Sequence, residues 1–225
     1  MRLRSLIRLN PSKTEVANLP QLTEVTFAPM DALADGLGGL DTSLSQTLGA
    51  VETGSYSYFR DGDLLLAKVT PCFENGKKAL AQHLTSGIGF ATSEVHVIRP
   101  DTAKLDPRYL LFLFSSEDFR AAGAESMTGA GGLKRVSEEA VLNYRLPVED
   151  LERQKAIVDF LDRETVRIDK LIKNRERFLD LIAEKKAVLA EQAVNGNILR
   201  NAVDGEQGWF GRLPADWPVR RARHR

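Results

Sequence analysis

Hydrophobic and polar positions follow two different patterns along the chain, and the pattern changes near residue 150. In the first part, short apolar runs alternate with turns rich in Gly and Pro. The run Leu64–Thr70 ends at a proline and predicts a buried strand, and the alternating residues Val95–Ile98 predict a second one. Pro107 suits a first helical turn and opens a predicted helix that continues to about Ala122.

Turn signals follow this predicted helix. Gly123 and the cluster Gly129–Gly132 predict a loop, because glycine is the residue most common where the chain turns. The residues from Val136 to Pro147 then predict a short helix followed by a strand. The first part of the chain is therefore expected to mix strands and helices within one domain.

The second part is helical, because neither Pro nor Gly occurs from Leu151 to Val194. Its apolar residues recur at heptad-like spacings, and residues 165–194 alone would extend roughly 45 Å at about 1.5 Å per residue. One alternative is an edge helix packed on its own domain. The other is a spacer that pairs with another helix, which the sustained stripe and its charged flanks favour. The residues predicted to form this pairing seam are Ile168, Leu171, Ile172, Phe178, Leu179, Ile182 and Leu189.

Together the patterns predict an α+β protein in three parts. A mixed α/β domain over residues 1–150 precedes a long, coiled-coil-like spacer helix over residues 151–196, which ends at an Asn-Gly stop. Residues 197–225 form a tail that contains several glycines and ends in a basic run.

Composition narrows the class of protein. Lys and Arg together equal Asp and Glu at 31 each, so a nucleic-acid-binding face would have to come from local segregation of charge. The single cysteine, Cys72, excludes an intrachain disulfide and fits a reducing compartment. The N-terminus lacks the apolar run of a signal peptide, and the run Tyr109–Phe114 is too short to span a membrane. We therefore expect a cytoplasmic protein.

No catalytic constellation is evident in the sequence. The segment Gly129–Arg135 comes nearest to a phosphate-binding P-loop but has the wrong spacing, and no Gly-rich dinucleotide motif follows a strand. Pro100-Asp101 begins a nuclease-like pattern without the acidic residue and lysine that should follow, and the His and Cys residues form no metal pattern. We expect a protein without catalytic or metal-binding residues and without a bound cofactor.

Six strings occur in a fixed order along the chain: residues 6–13, 25–30, 59–77, 92–100, 127–136 and 146–165. As an ordered set they resemble the specificity (S) subunit of Type I restriction–modification systems. In that family a target-recognition domain leads into a spacer helix, so the resemblance implies DNA recognition by residues 1–150 and helix pairing by residues 151–196. The string Gly211–Val219 resembles the opening of a second recognition domain. The chain therefore resembles a half-length or truncated S subunit.

The resemblance also implies partners. These are double-stranded DNA with a split target site, methyltransferase (M) subunits, restriction/translocase (R) subunits, and either a second copy in an antiparallel dimer or another S subunit. S-adenosylmethionine, ATP and Mg²⁺ would be used by the partner subunits. The alternative is a degenerate half-subunit that acts only as a structural protein within the complex, and a stand-alone nuclease ranks third.

Two segments offer the side chains that contact bases and phosphates. One follows the predicted strand at Leu64, and the other is the Gly cluster with its basic exit. An ordinary solvated turn at Lys77-Lys78 and a flexible connector at Gly129–Gly132 remain open as alternatives. The residues predicted to bind DNA are Lys68, Thr70, Asn75, Lys77, Lys78, Lys134 and Arg135. His96, on a predicted strand, is expected to be structural.

Overall fold

The computed structural model describes residues 1–37, 39–130, 132–147, 149–194, 202–204 and 212–214. The chain forms two compact units, Met1–Leu161 and Asp162–Arg225. The strands are β1 (Ile7–Leu9), β2 (Glu24–Ala28), β3 (Ser45–Thr47), β4 (Ser57–Arg60), β5 (Leu64–Ala67), β6 (Lys78–Leu80), β7 (Ile88–Ala91), β8 (Val95–Pro100), β9 (Thr128–Ala130), β10 (Leu133–Arg135), β11 (Ala202–Asp204) and β12 (Arg212–Pro214). The helices are α1 (Leu48–Val51), α2 (Pro107–Leu113), α3 (Glu117–Glu125), α4 (Glu138–Asn143) and α5 (Leu151–Val194).

The first sheet of the first unit is antiparallel, with strand order β1-β8-β5-β6. Strand β5 lies inside it and is buried on both faces. Leu64 and Leu66 pack with the helices α2, α3 and α4, whereas Leu65 packs with the second sheet. Burial on two sides explains why β5 is continuously apolar. The strands predicted at Leu64 and Val95 are therefore confirmed.

The second sheet has strand order β3-β2-β7-β4, in which β2 and β7 run parallel and the other pairs antiparallel. Phe59 and Ala91 from this sheet pack with Leu65 and Val97 from the first one. The opposite face carries Phe90, which packs with residues of α1 and the N-terminal segment. The first unit is thus a helical layer and two sheets around its own core.

The single helix predicted from Pro107 to Ala122 is wrong, because the structure has two helices, α2 and α3. Ser116 accepts a hydrogen bond from the backbone N–H of Phe119 (3.3 Å) and so caps the second helix. The break lets the ring of Phe114 stack on that of Phe119, with centroids 4.0 Å apart. The apolar periodicity continues across this point, but the cap at Ser116 starts a new helix.

The loop predicted at the glycines is wrong at Gly123, and at the Gly cluster it is a short turn within a hairpin. Gly123 lies inside α3, where the ring of Phe73 occupies the space that a Cβ atom would need, 2.2 Å from its position. The cluster beyond it is part of the β9–β10 hairpin, in which Ala130 pairs with Leu133. Gly129, in β9, and Gly132, in the turn, both have positive φ angles, a conformation that glycine adopts at least cost. The short helix predicted after Val136 is confirmed as α4.

Helix α5 confirms the long helix predicted from Leu151, and its first turns are tied into the first unit. Asp150 accepts a hydrogen bond from the N–H of Arg153 (2.8 Å). The buried amide of Gln154 donates to the carbonyls of Lys104 (2.9 Å) and Glu149 (2.8 Å) and accepts from the N–H of Asp106 (2.8 Å). These bonds hold the start of the helix in one orientation on the domain.

The second unit begins inside α5 at Asp162 and contains the rest of that helix to Val194. Its two short strands, β11 and β12, pair antiparallel, with Ala202 opposite Pro214. Most of the predicted tail over residues 197–225 lies outside the described residues, as does Asn195-Gly196. Among the helices that the structure describes, α5 included, none is long and apolar enough to cross a membrane.

Candidate nucleic-acid interface

The structure brings together the two segments that the sequence singled out. Thr70 donates its backbone N–H to the carbonyl of Lys134 (3.0 Å), and its hydroxyl donates to the carbonyl of Gly132 (2.9 Å) while accepting from the N–H of Lys134 (3.0 Å). The N–H of Val136 donates to the carbonyl of Lys68 (2.8 Å). Residues 68–77 and 128–135 therefore form one surface, which we call the loop–hairpin surface.

A buried aromatic ring and backbone hydrogen bonds hold the loop of this surface in place. The ring of Phe73 is buried in the core beside Phe119, with ring centroids 6.3 Å apart. Lys77 donates its backbone N–H to the carbonyl of Cys72 (3.0 Å), and the N–H of Ala67 donates back to the carbonyl of Lys77 (3.0 Å). Asn75, at the tip, is exposed to solvent. A fixed loop with an exposed polar tip can present donors at defined positions.

The two adjacent lysines of the loop have different surroundings. Lys77 donates to the carbonyl of Leu33 (2.9 Å) and lies 3.8 Å from the carboxylate of Asp35. Lys78 is only 1% exposed, because the register of β5 and β6 places it opposite Leu66 on the buried face. Burial, with repulsion from Arg120, lowers the pKa of Lys78 to about 8. The Lys78 ammonium is therefore enclosed, and it donates to the carbonyl of Gly76 (3.3 Å).

Arg135 is locked to an acidic residue that the sequence analysis did not identify. Its Nε and Nη2 donate to the two carboxylate oxygens of Glu94, at 2.8 and 2.9 Å. The hydrogen bond and charge of Arg135 hold the pKa of Glu94 below its usual value, and Glu94 raises the pKa of Arg135 in turn. Lys134, the preceding residue, is exposed, and no acidic group in the described part of the chain pairs with it. The only advance signal for Glu94 was its place in a turn before the predicted strand at Val95.

His96 connects the hairpin to the first sheet. Its Nε2 lies 2.9 Å from the carbonyl of Val136, and its Nδ1 has no hydrogen-bond partner among the described residues. Burial lowers the pKa of His96, so the neutral ring with its proton on Nε2 fits both observations. The side chain fixes the exit of the hairpin, as its predicted structural role requires.

A second basic cluster lies at the opposite end of β8. Arg99 pairs with the buried Asp63 through two hydrogen bonds of 2.7 Å and with Glu15 at 2.6 Å. Arg8 and Arg60 also approach Glu15, at 3.3 and 3.8 Å. Both carboxylates hold the pKa of Arg99 above its usual value despite burial. These ion pairs join β1, β4 and β8 to the turn before β5, so the cluster serves the fold.

The predicted pairing seam of α5 is exposed along its length. Phe178, for example, is 54% exposed, a high value for an aromatic side chain in a helix. The other exposed seam residues are Ile168, Leu171, Ile172, Leu179, Ile182 and Leu189.

Within the described residues there is also no cluster of His, Cys, Asp and Glu suited to a metal ion.

Comparison with known proteins identifies the family. The family model described as the Type I restriction modification DNA specificity domain matches residues 45–177. The chain belongs to this family. The resemblance inferred from the ordered strings of sequence is therefore confirmed. The matched region of this specificity domain contains the whole loop–hairpin surface and α5 as far as Arg177.

Two curated relatives are specificity subunits from Escherichia coli, of the Type I restriction enzymes EcoEI and EcoAI. Each is 36% identical to the chain over 156 residues, which is 69% of this chain and 26% of the relative. The match thus spans about a quarter of the length of these relatives.

Solved structures share the fold. The HsdS subunit from Thermoanaerobacter tengcongensis superposes with a TM-score of 0.65 at 20% identity, over 93% of this chain and 51% of that one. A chain from a study of complex assembly and conformational transition of the type I R-M system gives the same TM-score and identity, over 97% and 50%. The α+β architecture with a long C-terminal helix, predicted from the sequence, is confirmed.

Proposed function

We propose that the chain recognises DNA sequence for a Type I restriction–modification complex in the cytoplasm and catalyses no reaction itself. The observation that carries the proposal is the loop–hairpin surface, which lies wholly within the region matched by the DNA specificity domain. Its exposed polar groups sit on a fixed backbone, and a fixed backbone is what discrimination between base edges requires.

Within this surface the residues have different roles. Lys68, Asn75 and Lys134 are the candidates for contact with DNA, whereas Thr70 uses its hydroxyl and N–H to join the hairpin to the loop. Lys77 extends toward Leu33 and Asp35 and contacts phosphate only if it leaves them. Lys78, which the sequence placed with the contact residues, is enclosed, so we assign it to supporting the loop.

The chemistry of the complex belongs to partner subunits in this proposal. Methyltransferase subunits use S-adenosylmethionine, and restriction/translocase subunits use ATP and Mg²⁺. The chain supplies recognition of the target sequence and the helix on which the complex assembles. Purified chain alone is then expected to show neither cleavage, methylation nor ATP hydrolysis, and clean methylation by the isolated chain would refute the proposed division of labour.

The exposed seam of α5 supports pairing with another helix, either of a second copy or of another S subunit. A second copy related by a two-fold axis presents the same recognition surface twice in opposite orientation. The target of such a dimer is an interrupted palindrome, whereas an S subunit with two different domains reads two unrelated halves. A dimer that directs methylation to an asymmetric motif would show that self-pairing is not the working state.

Lys134 provides the experiment that tests DNA recognition. The chain, assembled with its methyltransferase subunits, is titrated with a fluorescent duplex at several salt concentrations. Loss of one phosphate contact in Lys134→Ala should weaken binding to all sequences and lower the salt slope by about one unit. The matched control is Lys155→Ala, which removes an exposed lysine from the first turns of α5.

The same titration separates the proposal from its alternative, a degenerate subunit that only assembles through its helix. The exposed seam favours that alternative as a second candidate, because assembly needs no DNA contact. Equal affinity and salt slope for Lys134→Ala, Lys155→Ala and the unaltered chain would contradict DNA binding by this surface and favour the assembly role.

A further inference from the structure

The pair formed by Arg135 and Glu94 has a specific geometry. A guanidinium carries five N–H donors in a planar fork, and Glu94 takes one from Nε and one from Nη2. Three donors remain, two on Nη1 and one on Nη2, and no group in the described part of the chain accepts a hydrogen bond from Nη1. The Arg135 side chain is 43% exposed. One edge of the fork is thus occupied, and the Nη1–Nη2 edge is available.

We propose that Arg135 reads a guanine in the target site and that Glu94 is the positioning residue that orients it. Guanine presents two neutral acceptors, O6 and N7, on its major-groove edge, and arginine donates to both at once. The free Nη1–Nη2 edge supplies that pair of parallel donors. The inference rests on the proposed function, because it assigns a base contact within the loop–hairpin surface.

Charge favours a base over a phosphate as the ligand of Arg135. The carboxylate of Glu94 balances the guanidinium charge and would repel a phosphate brought to the same group. Guanine O6 and N7 carry no net charge, so the paired arginine can donate to them without that repulsion. Lys134, one residue away, has no acidic partner in the described part of the chain and is the better phosphate ligand. Of these two adjacent residues of β10, Arg135 therefore reads a base and Lys134 binds the phosphate backbone of the DNA.

Both partners are fixed before DNA arrives. Glu94 lies in the turn before β8, where its N–H donates to the hydroxyl of Thr92 (3.3 Å) and its carbonyl accepts from the N–H of Lys68 (3.0 Å). Arg135 pairs with Val69 through a β-bridge. A long side chain that is already oriented loses less freedom on binding, so its contact discriminates more strongly.

A selection from a library of random DNA duplexes tests the inference. The chain assembled with its methyltransferase subunits is the bait, and the enriched motif is determined for the unaltered chain, Arg135→Ala, Arg135→Lys and Glu94→Ala. All three variants should lose selectivity at the same G·C pair, by about 5- to 150-fold for the arginine variants, the range of a bidentate base contact. Arg135→Lys keeps the charge but lacks the planar fork, so a phosphate contact would survive in it.

Two controls separate orientation from charge. Glu149→Ala removes a carboxylate that pairs with Arg153 at 3.5 Å and is not part of the loop–hairpin surface, and it should leave the motif unchanged. Glu94→Asp keeps the charge on a shorter side chain, and we expect it to restore part of the selectivity lost in Glu94→Ala. Thermal unfolding of each variant verifies that it is folded.

Several outcomes would overturn the inference. A uniform loss of affinity in Arg135→Ala, with the motif intact, would make Arg135 a phosphate ligand. Tighter binding to every sequence in Glu94→Ala, with full selectivity, would make Glu94 a repelling charge only. An unaltered complex that enriches no motif would refute the proposed function itself, a result distinct from the loss of one position.

Discussion

The two parts of helix α5 differ in what surrounds them. In its first turns, within the unit that ends at Leu161, Gln154 and Val158 are completely buried. From Asp162 to Val194 the same helix carries Leu171, Phe178 and other apolar side chains that are about half exposed. One continuous helix therefore belongs to a packed domain at its start, and over the rest of its length its apolar side chains are not covered by any of the described residues.

This difference shows where each region obtains its stability. The first unit buries its own apolar residues between two sheets and a helical layer. The stripe of α5 has no such burial among the described residues, and apolar stripes of this size on a protein surface usually mark an interface. Domain stability and helix pairing should therefore respond separately to substitution.

The largest effect is expected in the core of the first unit. Phe114 is 1% exposed and stacks on Phe119, so Phe114→Ala should lower the free energy of unfolding by about 3–5 kcal/mol. Urea denaturation followed by circular dichroism measures this change. A loss below about 1 kcal/mol would mean that the packing around Phe114 is looser than the structure shows.

A smaller loss is expected where α5 enters the domain. Gln154→Met keeps the volume but leaves the N–H of Asp106 and the carbonyls of Lys104 and Glu149 without their partner, at a cost of about 2 kcal/mol. The matched control is Gln192→Met, at an exposed position near the end of the same helix. Equal stability of the two variants would contradict the anchoring role of Gln154.

Lys78 should make the stability of the first unit depend on pH. Its folded pKa of about 8 lies below the ordinary value of 10.5, so the unfolded chain binds more protons between these values. The free energy of unfolding should then rise with pH through this window, and the penalty is fully present below about pH 8. Lys78→Met should remove that rise and stabilise the chain at pH 7 by about 1–2 kcal/mol.

Urea denaturation at pH 7 and pH 10 compares Lys78→Met with the unaltered chain. Lys155→Met, which replaces an exposed lysine, is the control and should retain the pH dependence of the unaltered chain. If Lys78→Met retains it too, the ammonium is more hydrated than its burial indicates.

The smallest effect on stability is expected along the exposed seam. In dilute solution, where the chain does not associate, Phe178→Ala should change the free energy of unfolding by less than about 0.5 kcal/mol, in contrast to the same substitution at Phe114. Association should respond instead, because Leu171→Glu or Phe178→Glu places a charge in the seam. Light scattering at tens of micromolar measures it. A chain that is a strict monomer with or without these substitutions would refute self-pairing.

Periodicity and turn chemistry predicted much of this fold. The buried strand at Leu64 and the helix from Leu151 follow from patterns that depend on local sequence alone. The break between α2 and α3 also had a local signal, Ser116 followed by Glu117 and Asp118, which is typical of a helix start. The apolar residues that continue across the break indicated a single helix instead.

The site was predicted less completely, because its geometry depends on pairings between distant segments. Both halves of the loop–hairpin surface were identified, but the bonds of Thr70 that join them were not. Lys78 appeared to be a solvated lysine until the register of β5 and β6 placed it inside. Glu94 had only its place in a turn before a predicted strand, and Gln154 had no signal, since a lone charged or amide residue is ordinary in a turn or on a helix.

Methylome sequencing tests the central claim most directly. A host that carries the methyltransferase subunits is sequenced with and without the gene for this chain, and with Arg135→Ala. Recognition of DNA by this chain predicts a defined, interrupted motif that is methylated only when the chain is present, and a motif relaxed at one G·C pair in the variant. Identical methylation in all three hosts would contradict the claim.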